Sequence, residues 1–153
     1  MKKLLLFSTL VMISFIVNAQ NSNQNDKEIE TIKKVIQTAY VEGLQNEGDF
    51  NKIDQGFHPD FELLIPGKNG ELEKLTLNAW KERIKTKLAS GEMPRKPENK
   101  VSIKFLFVDV TGNAAVAKFE FYVGTKLTFV DYQSLYKFDS GWKIVSKTYY
   151  KFE

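Results

Sequence analysis

Few side chains in this sequence could move a proton or grip a ligand. His58 is the only histidine, in the stretch Gly-Phe-His-Pro-Asp-Phe over residues 56–61. Its near-neutral reference pKa permits acid–base work without selecting it. It precedes Pro59, which biases its backbone toward an extended shape. One reading is a ring that packs on Phe57 and Phe61 and bonds a backbone carbonyl; the other is a ligand contact or an acid–base group. A second set consists of hydroxyls: Tyr132, Ser134 and Tyr136 are spaced by two, as are Ser146 and Thr148. On a strand that spacing puts each set on one face. An apolar wall with a few such groups is the composition of a ligand pocket, and equally of a filled core whose hydroxyls bond one another.

Other chemistry is excluded by residue type. The chain has no cysteine, which removes disulfides, thiolate zinc sites and cysteine nucleophiles. A lone histidine cannot supply a two-histidine metal site within one chain. There is no glycine-rich phosphate loop, no Gly-x-Ser-x-Gly elbow, and no serine–histidine–aspartate order with His58 in reach. No metal or cofactor is implied.

The elements that must position these groups follow from periodicity. Ile29, Ile32, Val35, Ile36, Ala39 and Tyr40 recur at three and four, which predicts a long amphipathic helix after Asp26, ended by Gly48. Asp49 suits the cap of a second, shorter helix that stops at Gly56. Residues 60–66 alternate as a strand, Pro66-Gly67 and Asn69-Gly70 mark a turn, and residues 71–75 read as a return strand. Leu77, Trp80, Ile84 and Leu88 predict a third helix, capped by Thr76 and stopped by Gly91. Trp80 at that spacing reads as core before pocket wall. From Val101 onward the period is two, with short turns near Gly112, Gly124 and Gly141, and this predicts a four-strand antiparallel meander. Helices and strands are segregated, so the fold class is α+β. Three helices lie in a strongly curved, mainly antiparallel sheet of about six strands, which leaves a hollow with one open mouth.

Parity selects what faces that hollow. On the first meander strand Val101, Ile103, Phe105, Phe107 and Asp109 are expected inside, Asp109 being the one carboxylate. On the second they are Ala115, Ala117, Phe119 and Phe121. On the third they are Tyr132, Ser134, Tyr136 and Phe138, with Asp131, Gln133, Leu135 and Lys137 outside. On the fourth they are Trp142, Ile144, Ser146, Thr148 and Tyr150, with Lys143 and Lys147 outside. A bulge would reverse the parity beyond it. The expected ligand contacts are Tyr40, His58, Trp80, Phe119, Phe121, Tyr132, Ser134, Tyr136, Ser146 and Thr148.

The N-terminus carries two lysines, an apolar run from Leu4 to Val17, and Asn18-Ala19-Gln20. This is the order of a secretory signal, cleaved after Ala19, and the run is shorter than the ~20 residues that span a bilayer. The reading is a signal over 1–19, a flexible linker over 20–26, and one domain over 27–153. The destination is the periplasm or the medium, with no membrane attachment after cleavage. Loss of Lys2 and Lys3 takes the basic side chains from 22 to 20 against 19 acidic ones, a net charge of +1. With the lysines dispersed, nucleic-acid binding is not expected.

The stretches "AYVEGLQNEGDFNKIDQGFHPDFEL", "DVTGNAAVAKFEF" and "DYQSLYKFDSGWKIVSKTYY", with the helix around Trp80, resemble a bacterial family labelled putative lumazine-binding. That family sits within the nuclear-transport-factor-2-like cone fold of ketosteroid isomerase, scytalone dehydratase and SnoaL-type cyclases. The resemblance implies a pteridine-like ligand, though this fold hosts many chemistries. Isomerase work wants a carboxylate facing oxyanion donors, and only His58, Asp109 and a tyrosine (Tyr132 or Tyr136) offer themselves. Hydroxyls without paired titratable groups favour binding over catalysis. Three readings follow. The first is a non-catalytic small-molecule-binding domain of unidentified ligand, dimeric through the outer sheet face. The second is an isomerase or dehydratase. The third is a protein-interaction module using Tyr122, Phe129 and Tyr149.

Overall fold

The computed structural model describes residues 24–153. The signal over 1–19 and most of the linker lie outside the described residues. A long helix, α1, is already formed at residue 24, ahead of Asp26, so residues 24–26 are helical rather than linker. It is α-helical to residue 35 and continues as a π-helix over Ile36–Glu47, with the wider turn of i to i+5 bonding. Gly48, at φ 72°, ends it by donating its N–H to the Gly43 carbonyl. Asp49 caps α2 (Phe50–Gly56), accepting from the backbone N–H groups of Asn51 and Lys52 at 2.8 and 3.1 Å. Thr76 caps α3 (Leu77–Ala89) by accepting from Ala79 N–H. Both caps satisfy amides that a helix start leaves without partners.

The strands are β1 (Phe57–Pro66), β2 (Leu72–Thr76), β3 (Val101–Thr111), β4 (Ala114–Val123), β5 (Lys126–Phe138) and β6 (Gly141–Lys151). They form one sheet in the order β2-β1-β6-β5-β4-β3. All pairings are antiparallel except β1 with β6, which is parallel. β1 starts at Phe57, not Asp60, so His58 and Pro59 are strand residues. The β1–β6 register shifts between Phe57 and Glu62, where Pro59 can donate no ladder bond.

The buried core runs from α1 (Ile32, Ile36, Ala39, Tyr40, Leu44) through Ile53, Phe57 and Phe61 to Phe119, Phe121, Trp142 and Ile144. The expected hollow is therefore occupied to a large extent by the protein's own rings. Tyr40 lies 6.0 Å from both Phe119 and Phe121, centroid to centroid, and 6.3 Å from Trp80.

Three bulges decide which residues face this core. Phe105 pairs with Phe119, but Phe107 pairs with Lys118, so Leu106 is an extra residue. Beyond it Val108 and Val110 turn inward while Phe107 and Asp109 turn out. Tyr122 pairs with Leu127, but Phe121 pairs with Phe129, which makes Thr128 extra. Opposed residues share a face, so inward Phe119 puts Asp131 inside. On β6 Val145 is extra: Leu135 pairs with Ile144 and Ser134 with Ser146. Four inward assignments on β5 are thereby overturned, since Tyr132 is 38% exposed, Phe138 41% and Tyr136 48%, with Ser134 on the same outer face. Ser146 and Thr148, paired with Ser134 and Tyr132, share that outer face, and Tyr150, also expected inside, is exposed. The outward assignment of Asp131, Gln133, Leu135 and Lys147 is likewise reversed, for all four are buried.

Candidate functional site

The reversal brings a polar strip into the aromatic core. Asp131 and Gln133 sit two apart on β5, and Lys147 stands across the ladder from Gln133 on β6. Asp131 and Gln133 are 0% exposed and Lys147 5%. From the helical layer, Tyr40 donates its hydroxyl to Asp131 Oδ2 at 2.7 Å. Lys147 Nζ lies 2.8 Å from Asp131 Oδ1, off the direction of a hydrogen bond, so charge holds the pair. The ammonium is also ringed by aromatic faces, Tyr149 at 4.8 Å, Tyr40 at 5.5 Å and Phe129 at 5.8 Å. Such faces attract a desolvated cation.

Burial dominates the electrostatics. It pushes the Asp131 carboxyl above its ordinary 3.8, against the opposing pull of Lys147 and Tyr40. It pushes the Lys147 ammonium below its ordinary 10.5, against the pull of Asp131. It also raises the Tyr40 phenol well above 10.0, with the Asp131 charge adding to the effect. Each charge is opposed by burial and supported by the other beside it.

Gln133 is different. Neither its Oε1 nor its Nε2 has a hydrogen-bond partner among the described residues. A primary amide carries an acceptor and two donors on one plane. Here that plane is enclosed, next to a carboxylate–ammonium pair. A buried polar side chain is ordinarily bonded, and an exception needs a physical cause such as a missing ligand or water.

The expected site residues divide sharply. Tyr40, Phe119 and Phe121 are in the core beside the strip, and Trp80 is half-buried with its edge on Tyr40. Tyr132, Ser134, Tyr136, Ser146 and Thr148 line the opposite side of the sheet. Asp109 is exposed on that side. His58 is apart from the core strip: its ring stacks at 4.9 Å and 24° on Phe138, which shares the outer parity of Tyr136 on β5, and Nδ1 accepts from the Asp60 backbone N–H at 3.2 Å. It bonds an amide rather than a carbonyl and converges with neither carboxylate nor tyrosine in the core. Asp131, Gln133 and Lys147 were missed as polar residues expected on a wet face. Among the described residues no group of histidine, cysteine, aspartate or glutamate could hold a metal, and no helix is long and apolar enough to cross a membrane.

A curved sheet folded over three helices gives the chain the cone fold seen in NTF2-like proteins. Residues 27–150 match the family described as "Putative lumazine-binding", and the chain belongs to that family. It is similar to an NTF2-like protein of unknown function from Shewanella baltica, with TM-score 0.62 and 19% identity over 81% of this chain and 93% of that one. A second such protein, from Silicibacter pomeroyi, gives 0.60 and 20% over 78% and 92%. An NTF2-like protein from Streptomyces avermitilis, described as a putative dehydratase, gives 0.57 and 16% over 84% and 98%. These identities speak to the fold. No curated protein matches the sequence.

Proposed function

We propose that this protein is exported and holds a flat heteroaromatic molecule inside the cone, without turning it over. The observation that carries the reading is the Gln133 amide, enclosed and without a partner. An amide of this kind pairs with a ring edge that presents an acceptor beside a donor, as a pteridinedione does, and the aromatic side chains around it suit the ring faces. The family description agrees in kind. Both oxygens of Asp131 are engaged by Tyr40 and Lys147. The carboxylate therefore serves as a counter-ion rather than a free base, which supports binding over catalysis.

Gln133 is fully enclosed, so loading requires the helical layer to part from the sheet, and association is slow for that reason. Lumazine is the first probe. Titrated into residues 20–153, it should raise the melting temperature of the wild type and not that of Gln133→Leu. Equal shifts in the two proteins would remove the amide from the site. Export is supported by the N-terminal sequence alone, and mass spectrometry of periplasmic protein should find Gln20 at the mature N-terminus. Leu106, Phe107, Tyr132 and Tyr136 are exposed on the outer sheet face and support self-association there. Light scattering should then give twice the monomer mass.

A further inference from the structure

A cleft of about 190 Å³ lies between the end of α1, the Trp80–Ile84–Lys87 side of α3 and the loop after α3. Its apolar lining is Leu44, Trp80, Ile84 and Met93, and its rim carries Arg83, Lys87 and Arg95. Arg83 and Lys87 stand four apart on α3, so two like charges share a helix face, an arrangement that costs stability by itself. Arg95 is half-buried and held in place. Its Nε donates to the Gln45 carbonyl at 2.7 Å, and its backbone N–H donates to Asn46 O at 2.8 Å.

None of these three cations has a carboxylate at ion-pair distance among the described residues, whereas Lys81 and Lys85 on the same helix pair with Asp54 and Glu82. Glu92 is the one acidic residue on the rim; its Oε1 lies 2.8 Å from the Ser90 hydroxyl and it makes no ion pair with the three cations, so the rim carries three positive charges against one negative. The site thus joins an indole and an apolar floor to three cations without an ion-pair partner, one of them a pre-positioned guanidinium. Guanidinium groups match the paired oxygens of carboxylate and phosphate.

We propose that this cleft binds a small aromatic anion, its ring against Trp80 and its carboxylate or phosphate held by Arg83, Lys87 and Arg95. The site contains no residue of the Gln133 strip, although Trp80 also meets Tyr40 of the core edge-on.

The test is calorimetric titration of residues 20–153 with 1-naphthyl phosphate, alongside the Trp80 indole N–H resonance. A single site is expected, with that resonance shifting. Arg95→Gln and Arg83→Gln should each weaken binding about tenfold or more, the worth of a hydrogen bond to a charged group. Arg83 is exposed, so its variant keeps the fold even if Arg95→Gln disturbs the loop. Lys126→Gln, an equal charge change on the β4–β5 hairpin, should leave affinity unchanged. 1-Naphthol and inorganic phosphate should each bind more weakly, and 1-naphthoate binding as well as the phosphate would mark carboxylates as equally suitable. Gln133→Leu should bind as the wild type does. Absence of heat and of any Trp80 shift would overturn the proposal. So would equal losses in Arg83→Gln and Lys126→Gln, equal binding of 1-naphthol, or loss of binding in Gln133→Leu, which would put the probe in the core.

Discussion

Two buried amides in this molecule are used in opposite ways. Asn46, at the end of α1, donates to Val101 O at 3.0 Å and accepts from Val101 N–H at 2.8 Å, as a neighbouring strand would. It ties the helix to the first residue of β3. Gln133, in the middle of the sheet, has neither contact. The same functional group is structural in one place and unspent in the other. The difference marks Gln133 as the side chain of the polar strip whose polar atoms are both left without a partner among the described residues. A buried ion pair is commonly no better for stability than apolar residues of the same shape, yet removal of one partner is severe.

That contrast can be broken in three ways of decreasing size. Asp131→Ala would leave Lys147 buried without its counter-charge and should lower the unfolding free energy by about 3–5 kcal/mol, read from denaturant titration. The double change Asp131→Leu with Lys147→Met should cost far less than the single one. Its pH profile carries a sign. The Asp131 carboxyl is raised in the folded state and the Lys147 ammonium lowered. Folding therefore disfavours both charged forms. Wild-type stability from Asp131 falls as pH rises through the region above 3.8, and that from Lys147 falls as pH drops below 10.5. The stability of the double variant relative to the wild type should be highest near neutral pH and should fall toward both extremes. A constant difference across pH would mean that the pair is solvated.

Asn46→Leu should cost on the order of 2–4 kcal/mol, because it strands two buried backbone groups of Val101. A loss below that range would mean water replaces the amide, and the contrast with Gln133 would weaken. Tyr136→Ala, on the outer face, should change the stability of the monomer by no more than about 0.5 kcal/mol, as surface substitutions usually do. A large loss there would restore Tyr136 to a structural or inner role.

Much of the fold was legible because local chemistry specified it. Asp49 and Thr76 cap helices as their types suggest, Gly48 closes α1, and the alternation of Ala117, Phe119 and Phe121 marks the inner face of β4 correctly. The candidate site was not legible, since its faces depend on single extra residues. Thr128 sits in a run whose composition carries no bulge signal, and it reverses every side chain after it on β5. Reading Tyr132 and Tyr136 as inward followed the ordinary preference for burying aromatics over Asp131 and Gln133. A site built for a ligand is where that preference fails. The cleft rim was hidden for another reason: Gln45, Arg83 and Arg95 come from three separate segments, and only the Arg83–Lys87 spacing hinted at it.

The most direct test of the claim that Gln133 is kept for a ligand is the unfolding free energy of Gln133→Leu without any ligand added. If the amide serves nothing in the empty fold, the variant should be more stable than the wild type by about 1 kcal/mol, the relief of an unbonded buried group. A variant less stable than the wild type would show that the amide is bonded within the fold, and the binding account built on it would fail.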